Sequence, residues 1–345
     1  MKKQVNLFLL LVLLGSMAFA QQTSVEFPKL TDPYLGQKPP GMTPELFAPG
    51  IISTNNTEWT TAFSPDGLEC FYTIQGLNSY NVLVTMKSVD GVWQKPELAP
   101  FRLPDHNADP FFAPGGKRLF FWSNGPDVVG KEPRDNSDIY YVDKVGDGWG
   151  KPVRLDTVLI NTSHWQIFPT VAKNGNLYFT CNYPDSKGGF DVYRAEFKDG
   201  KYLAPVNLGD SVNTVYLEQE PYISPDESYI IFASDRHAPK SDRWDLYISF
   251  NKNDGTWTKA KNMGDKINSL YKDMAPMVSS DGKYFFFSSN RRIMLDMADK
   301  NLTYQNIVDT LYSPQNGNMD VYWVDAKIVD ELRTARGSLQ KPINP

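Results

Sequence analysis

The sequence predicts an all-β fold, a β-propeller of five four-stranded blades whose ring is closed by an N-terminal strand. Three observations carry this reading. Five segments repeat along the chain, their first residues 49, 59, 52 and 55 positions apart. The 345 residues include 18 Tyr, 20 Phe, 8 Trp, 24 Gly and 25 Pro, which favours strands and turns over helices. A further strand-like segment stands alone ahead of the first repeat. A repeat of this length holding four strand-like runs is one blade, which buries its two faces by packing between neighbours.

In chain order, the first element is a targeting segment. Lys2 and Lys3 precede an apolar run from Leu7 to Leu14, and Ala18-Phe19-Ala20 before Gln21 has the small-x-small form of a signal-peptidase site. Residues 1–20 therefore read as a cleavable secretory signal. The run is too short for a span of about 30 Å of hydrocarbon, and no Cys at the cleavage point offers a lipid anchor. The expected mature chain is soluble and exported, periplasmic or secreted. Residues 21–43 read as an N-terminal extension, 44–325 as the propeller, and 326–345 as a C-terminal helix and tail.

The repeats begin at Thr61-Ala-Phe-Ser-Pro-Asp-Gly67, Pro110-Phe-Phe-Ala-Pro-Gly-Gly116, Pro169-Thr-Val-Ala-Lys-Asn-Gly175, Pro221-Tyr-Ile-Ser-Pro-Asp-Glu227 and Pro276-Met-Val-Ser-Ser-Asp-Gly282. Pro-Asp-Gly and its variants are hairpin chemistry. An aromatic run follows each, such as Leu119-Phe-Phe-Trp122 or Tyr284-Phe-Phe-Phe287, usually ending in Ser-Asn or Ser-Asp-Arg. A third strand begins at Asp138-Ile-Tyr140, Asp191-Val-Tyr193, Asp245-Leu-Tyr247 and Asp320-Val-Tyr322, with Asn81-Val-Leu83 as its degenerate first copy. Trp93-Gln-Lys-Pro96, Trp149-Gly-Lys-Pro152, Tyr202-Leu-Ala-Pro205 and Trp257-Thr-Lys-Ala260 read as the fourth strand. Ser64, Ala113, Ala172, Ser224 and Ser279 are all small, which fits an inner strand crowded against the axis.

Closure follows from the ends. The fifth unit lacks its fourth strand, and the orphan Pro44-Glu-Leu-Phe-Ala-Pro-Gly-Ile-Ile52 resembles Pro96-Glu-Leu-Ala-Pro100 of the first unit. It is expected to complete the last blade and leave no open edge. The alternative is six blades, with a divergent one in residues 291–318.

The Ser-Pro-Asp-Gly turn, the Phe-x-Ser-Asn/Asp-Arg strand end and the Asp-Ile/Val/Leu-Tyr strand resemble the WD40-like PD40 repeat of TolB-type exported propellers, over residues 58–325. The resemblance implies a binding or scaffolding module. Related repeats also occur in oligogalacturonate lyases and beside prolyl-peptidase domains. No G-x-S-x-G is present, which excludes the peptidase branch. The chain is expected to have fewer blades than the TolB type and no counterpart of its additional N-terminal domain.

If the inner strands run from top to bottom, the hairpin turns lie at the bottom and the variable loops at the top, where recognition concentrates. The segment 291–318 is the largest of these loops and a candidate lid. Three residues before each repeat start stand Glu58, Asn107, Gln166, Glu218 and Asp273, with Asp109 and Glu220 one residue before two of the starts. These seven form the candidate ligand site at the channel mouth. Convergent oxygens suit Ca²⁺ or sugar hydroxyls, whereas the structural alternative is that each caps a neighbouring loop, with Arg236 or Arg291 as partners. His106 and His164, near Gln166, partly resemble the His-rich metal site of the propeller lyases, but His237 lies elsewhere and no third imidazole converges. Cys70 and Cys181 fall on non-adjacent blades and are expected as buried free thiols. The recurring Asp of the third strand reads as structural.

A net charge of −5 offers no field for a phosphate backbone, so nucleic-acid binding is not expected. The expected role is a monomeric, non-catalytic propeller that takes a protein, peptide or glycan on its top face and requires no cofactor. The alternative is a polysaccharide lyase or glycosidase using paired carboxylates among Asp109, Glu218, Glu220 and Asp273.

Overall fold

The computed structural model describes residues 26–76, 80–126, 135–155, 159–237, 243–252 and 254–334. The expected signal segment and the end of the C-terminal tail lie outside the described residues. Strand β1 (Glu45–Leu46) comes first in the chain and last in the ring. Blade 1 is β2 (Thr57–Phe63), β3 (Glu69–Gln75) and β4 (Asn81–Val89), with β5 (Val92–Trp93) and β6 (Glu97–Leu98) both pairing with β4. Blade 2 is β7 (Asn107–Phe112), β8 (Arg118–Ser123) and β9 (Asp138–Val145), with β10 (Gly148–Trp149) and β11 (Val153–Arg154) both on β9. Blade 3 is β12 (Gln166–Val171), β13 (Leu177–Cys181), β14 (Asp191–Ala195) and, past the hairpin of β15 (Phe197–Lys198) and β16 (Lys201–Tyr202), β17 (Val206–Asn207). Blade 4 is β18 (Glu218–Ile223), β19 (Tyr229–Ser234), β20 (Asp245–Phe250) and β21 (Lys261–Asn262). Blade 5 is β22 (Asp273–Val278), β23 (Tyr284–Ser289) and β24 (Asp320–Asp325), with β1 on its outer edge. The five-bladed propeller is therefore the observed fold. Residues 291–318 hold one helix, α1 (Tyr304–Leu311), in place of a sixth blade.

Three expectations are corrected in detail. The outermost ladder of blades 1 to 3 starts after the Trp-x-Lys-Pro or Tyr-x-x-Pro run, at β6, β11 and β17, because Pro96, Pro152 and Pro205 have no N–H to give to a ladder. The third strand of blade 1 is offset by one residue: Glu58 pairs with Ile74 and Ile74 with Val82, so Val82 occupies the register of the recurring Asp. The small residues face the turn and not the axis. Ser64 and Ser279 accept the N–H of Glu69 and Tyr284 and donate to Asp66 and Asp281 at 2.6 Å, which holds each hairpin shut.

The closing strand pairs Glu45 with Trp323 and Leu46 with Tyr322, and Phe47 N–H donates to the Val321 carbonyl at 2.8 Å. Two paired residues give little backbone adhesion. Side chains supply the rest: Phe47 is fully buried and packs edge-on against Phe63, Phe286 and Trp323, with ring centroids 5.7, 5.2 and 4.9 Å away. Part of the N-terminal extension joins them. Tyr34 packs on Phe63 and Tyr284, its N–H bonds Gly67 O at 3.0 Å, and Trp93 Nε1 donates to Asp32 O at 2.8 Å. Helix α2 (Lys327–Thr334) follows the last strand and buries Ile328 and Val329. Cys70 and Cys181 are free and buried, and burial pushes the Cys181 thiol up to about 12.

Replacing Phe47 with Ala removes one ring from an aromatic cluster shared by blades 1 and 5. The expected loss is about 3–5 kcal/mol, measured as a lower urea midpoint. A change below about 1 kcal/mol would show that the backbone pairing alone closes the ring.

Candidate functional site

Every inner strand carries a bulge at the same place. The pairing register shifts between Trp59 and Ala62, Ala108 and Phe111, Ile167 and Thr170, Gln219 and Tyr222, and Met274 and Met277. At each bulge a non-glycine residue adopts left-handed backbone angles: Thr60, Asp109, Phe168, Glu220 and Ala275, with φ from 47° to 56°. Pro110, Pro169, Pro221 and Pro276 follow directly in four copies, where the interrupted ladder needs no N–H. The bulge turns these five residues inward, and all five line the narrowest part of the axial channel, a space of about 10 Å³.

Two of the five are carboxylates, and both are 5% exposed. Asp109 accepts from Thr60 Oγ1 at 2.6 Å and from Trp122 Nε1, while its own N–H donates to Thr73 Oγ1 at 3.1 Å. Glu220 accepts from the Ala275 N–H through Oε2, and its N–H donates to Thr180 Oγ1 at 3.1 Å. Burial raises Asp109 to about 7. Burial and then the nearby Asp109 charge raise Glu220 to about 8. Glu220 also borders the wider space above, a mouth of about 430 Å³. Its walls include Trp59, Phe168 and Trp244, with Gln219, Lys272 and Asn290 among the polar groups. The opposite end of the channel is an apolar pocket of about 140 Å³ lined by Phe63, Phe111, Tyr222 and Met277.

Of the seven candidate site residues, the fold brings Asp109 and Glu220 together in the channel. It places the other five at the blade interfaces, where all are at most 2% exposed and bonded to the loop that precedes their own strand. Glu58 accepts from Thr54 N–H at 3.1 Å and from Thr54 Oγ1, and Glu218 accepts from Thr214 N–H at 2.6 Å and Thr214 Oγ1 at 2.7 Å. Asp273 accepts from Ser269 N–H at 2.5 Å and Ser269 Oγ at 2.8 Å. Gln166 Nε2 donates to Thr162 Oγ1 at 3.0 Å, and Asn107 closes on Leu103 through both its oxygen and its amide. Arg236 and Arg291 bind Glu218 and Asp273 at 2.8 and 2.9 Å.

Sequence reasoning passed over two sets of residues. Asn161, Asn213 and Asn268 each accept the N–H and meet the carbonyl of the third strand of their own blade, at Ile139, Val192 and Leu246. Ser53, after the closing strand, does the same at Val321 in β24, the third strand of blade 5. The recurring Ile/Val-Asn-Thr/Ser before three of the inner strands, with Ile52-Ser53-Thr54 before the first, was the available signal. The mouth residues Trp59, Gln219 and Met274 also share one repeat position, two before the repeat start. His106, His164 and His237 stand apart: His106 stacks on Tyr80 at 5.0 Å, His164 meets Tyr183 edge-on at 5.5 Å, and His237 lies 3.9 Å from Asp245. Among the described residues no three His, Cys, Asp or Glu side chains gather as a metal cluster, and no helix is long and apolar enough to cross a membrane. The segment 291–318 borders the mouth with Gly317 and Asn318, while α1 buries none of its residues.

The fold and channel define the protein as a five-bladed β-propeller with a polar and aromatic mouth at one end of its axis. Among solved structures, it is similar to a protein described as TolB from Agrobacterium tumefaciens, with 17% identity and a TM-score of 0.46 over 78% of this chain and 90% of that one. It is similar to TolB from Acinetobacter baumannii, with 16% identity and a TM-score of 0.44 over 79% of this chain and 57% of that one. It is also similar to an α-L-arabinofuranosidase from Lactobacillus brevis, with 12% identity and a TM-score of 0.44 over 79% of this chain and 92% of that one. The sequence matches no protein-family profile and no curated protein.

The raised carboxyls make stability depend on pH. The folded protein holds these protons more tightly than the unfolded chain, so the contribution is full below about pH 4 and is lost as pH rises toward about 8. Glu220→Gln keeps the acceptor for Ala275 N–H without a charge. It is expected to be more stable than the wild type near pH 8.5, by on the order of 1 to a few kcal/mol, seen as a higher melting temperature, and to converge on it near pH 5. A gap that does not change across thermal scans at these two pH values would mean that Glu220 is ionised throughout.

Proposed function

We propose that this is an exported, non-catalytic binding propeller that takes a glycan into the top mouth of its axial channel. The observation that carries the proposal is the composition of that mouth: Trp59, Phe168 and Trp244 on the walls, with Gln75, Gln219 and Asn290 between them. A sugar offers apolar C–H faces and hydroxyl edges, and such a ligand suits flat aromatic surfaces interspersed with side-chain amides that donate and accept. The volume of about 430 Å³ falls in the range of small-ligand sites. Lys272 and the buried Glu220 also border this space.

The carboxylate pair in the channel favours a second reading, a carbohydrate-active enzyme, because one carboxyl raised toward neutrality beside another is general-acid chemistry. The geometry weighs against it. The space that both carboxylates border, about 10 Å³, holds about one water molecule and no sugar ring. Both Asp109 oxygens are also taken by Thr60 and Trp122.

Screening the protein against glycan and peptide libraries tests both. A glycan ligand is expected, and Trp244→Ala should weaken it at least about tenfold, a loss of roughly 1.4 kcal/mol, in protein that still unfolds cooperatively. Hits confined to peptides would replace the glycan with a peptide ligand. Release of reducing ends or unsaturated products from a bound oligosaccharide, lost in Asp109→Asn, would establish the enzyme instead.

A further inference from the structure

The five blade interfaces share one design at their top edges, and one of them departs from it. Four head residues donate their N–H to the residue just before the third-strand Asp of the neighbouring blade: Glu58 to Met319 at 2.8 Å, Gln166 to Ser137 at 3.0 Å, Glu218 to Phe190 at 3.0 Å and Asp273 to Trp244 at 2.8 Å. These contacts set Glu58 beside Asp320, Gln166 beside Asp138, Glu218 beside Asp191 and Asp273 beside Asp245, and all eight side chains belong to residues that are fully buried. Three of the four interfaces carry guanidinium: Arg154 on Asp138, Arg236 on Glu218, and Arg243 and Arg291 on Asp245 and Asp273. The remaining interface, between blades 1 and 2, has Asn107 and Val82 at these positions and no carboxylate to neutralise.

Among the described residues, only the seam between blades 5 and 1 joins two carboxylates at these positions without a cation. Among the described residues no Lys or Arg pairs with Glu58 or Asp320. Asp320 Oδ2 accepts from the Gln315 N–H at 2.7 Å, whereas Asp320 Oδ1 is buried with no hydrogen-bond partner. A buried, unpaired carboxylate is costly unless a positive charge meets it.

We infer that the seam is a cation site of the Ca²⁺ type, with Asp320 Oδ1 and the Glu58 carboxylate as its anionic ligands, the ion standing where the other interfaces carry guanidinium. The donors at hand are hard oxygens: two carboxylates and the Thr54 hydroxyl bonded to Glu58. No imidazole or thiol is bonded to either acid, which suits Ca²⁺ over a transition metal, and water completes such shells readily. The site joins the loop leaving β1 to the head of β24. Ser53 bridges Val321, and the Asn55 carbonyl accepts from Asn316 and Asn318 at 3.1 and 2.9 Å in the same junction. An ion here fastens the ring closure and is independent of what the channel mouth binds.

Thermal unfolding of the full chain in chelator and in millimolar CaCl₂ tests the inference. Calcium should raise the wild-type melting temperature by roughly 3 °C or more, and Asp320→Asn and Glu58→Gln should each abolish the rise while Asp109→Asn retains it. Terbium gives a direct readout, since Tyr322 lies two residues from Asp320 on the same strand face and should sensitise emission that calcium displaces. A wild-type protein with no calcium shift and no displaceable terbium signal would overturn the inference. So would a shift that survives Asp320→Asn and vanishes in Asp109→Asn.

Discussion

A propeller has no single central core. Its sheets pack face to face around an axis, so the arrangement holds only if the last blade meets the first. Here that meeting rests on Phe47 more than on strand pairing, because β1 contributes two paired residues while Phe47 is enclosed by rings from blades 1 and 5. Burying one such ring is worth about 1.5–3 kcal/mol before any cavity is counted, comparable to the whole short ladder. The Ser53 bridge and the Tyr34 plug work at the same seam. The N-terminal segment is therefore a structural member of the last blade, and its apolar contacts decide whether the other four interfaces can be maintained at once.

The second constraint is the bulge in each inner strand. Five non-glycine residues at positive φ cost on the order of 1–2 kcal/mol each, yet the feature recurs in every blade and so belongs to the architecture. Its consequence is geometric. The extra residue directs one side chain per blade at the axis, whatever that side chain is, and the identities differ: Thr60, Asp109, Phe168, Glu220 and Ala275. The fold determines where the channel is lined, and the individual repeats determine with what.

Much of this was legible before any coordinates. The repeat spacing indicated five blades, and the likeness of Pro44-Glu-Leu to Pro96-Glu-Leu pointed to β1, which pairs with β24 as β6 pairs with β4. The orientation of side chains was less accessible. Glu58 and Asp109 sit two residues apart in the repeat frame, one facing a neighbouring loop and the other the axis, because the bulge lies between the two registers. Strand alternation carried across an unseen bulge assigns such residues to the wrong side. The mouth aromatics escaped notice for a related reason. Phe168 and Trp59 come from different repeat positions, and only the closed ring brings them to one rim.

Near-symmetry makes departures informative. Where five copies share one structural duty, a side chain that recurs in four or five of them is explained by folding, as the third-strand aspartates and the loop caps are. A residue that breaks the pattern needs another cause. The bottom hairpins depart little: Ser64, Ser224 and Ser279 hold their turns through the same bonds. The departures lie in the channel and at the top: two acids at bulge positions that hold Thr, Phe or Ala elsewhere, an inserted helix before β24, and a carboxylate pair without its guanidinium. A structural scaffold with no ligand would have no reason to concentrate buried carboxyls without a counter-charge there, since each such group weakens the fold. The cost falls on the half of the molecule where the variable loops converge, which is the arrangement expected when stability is given up for recognition.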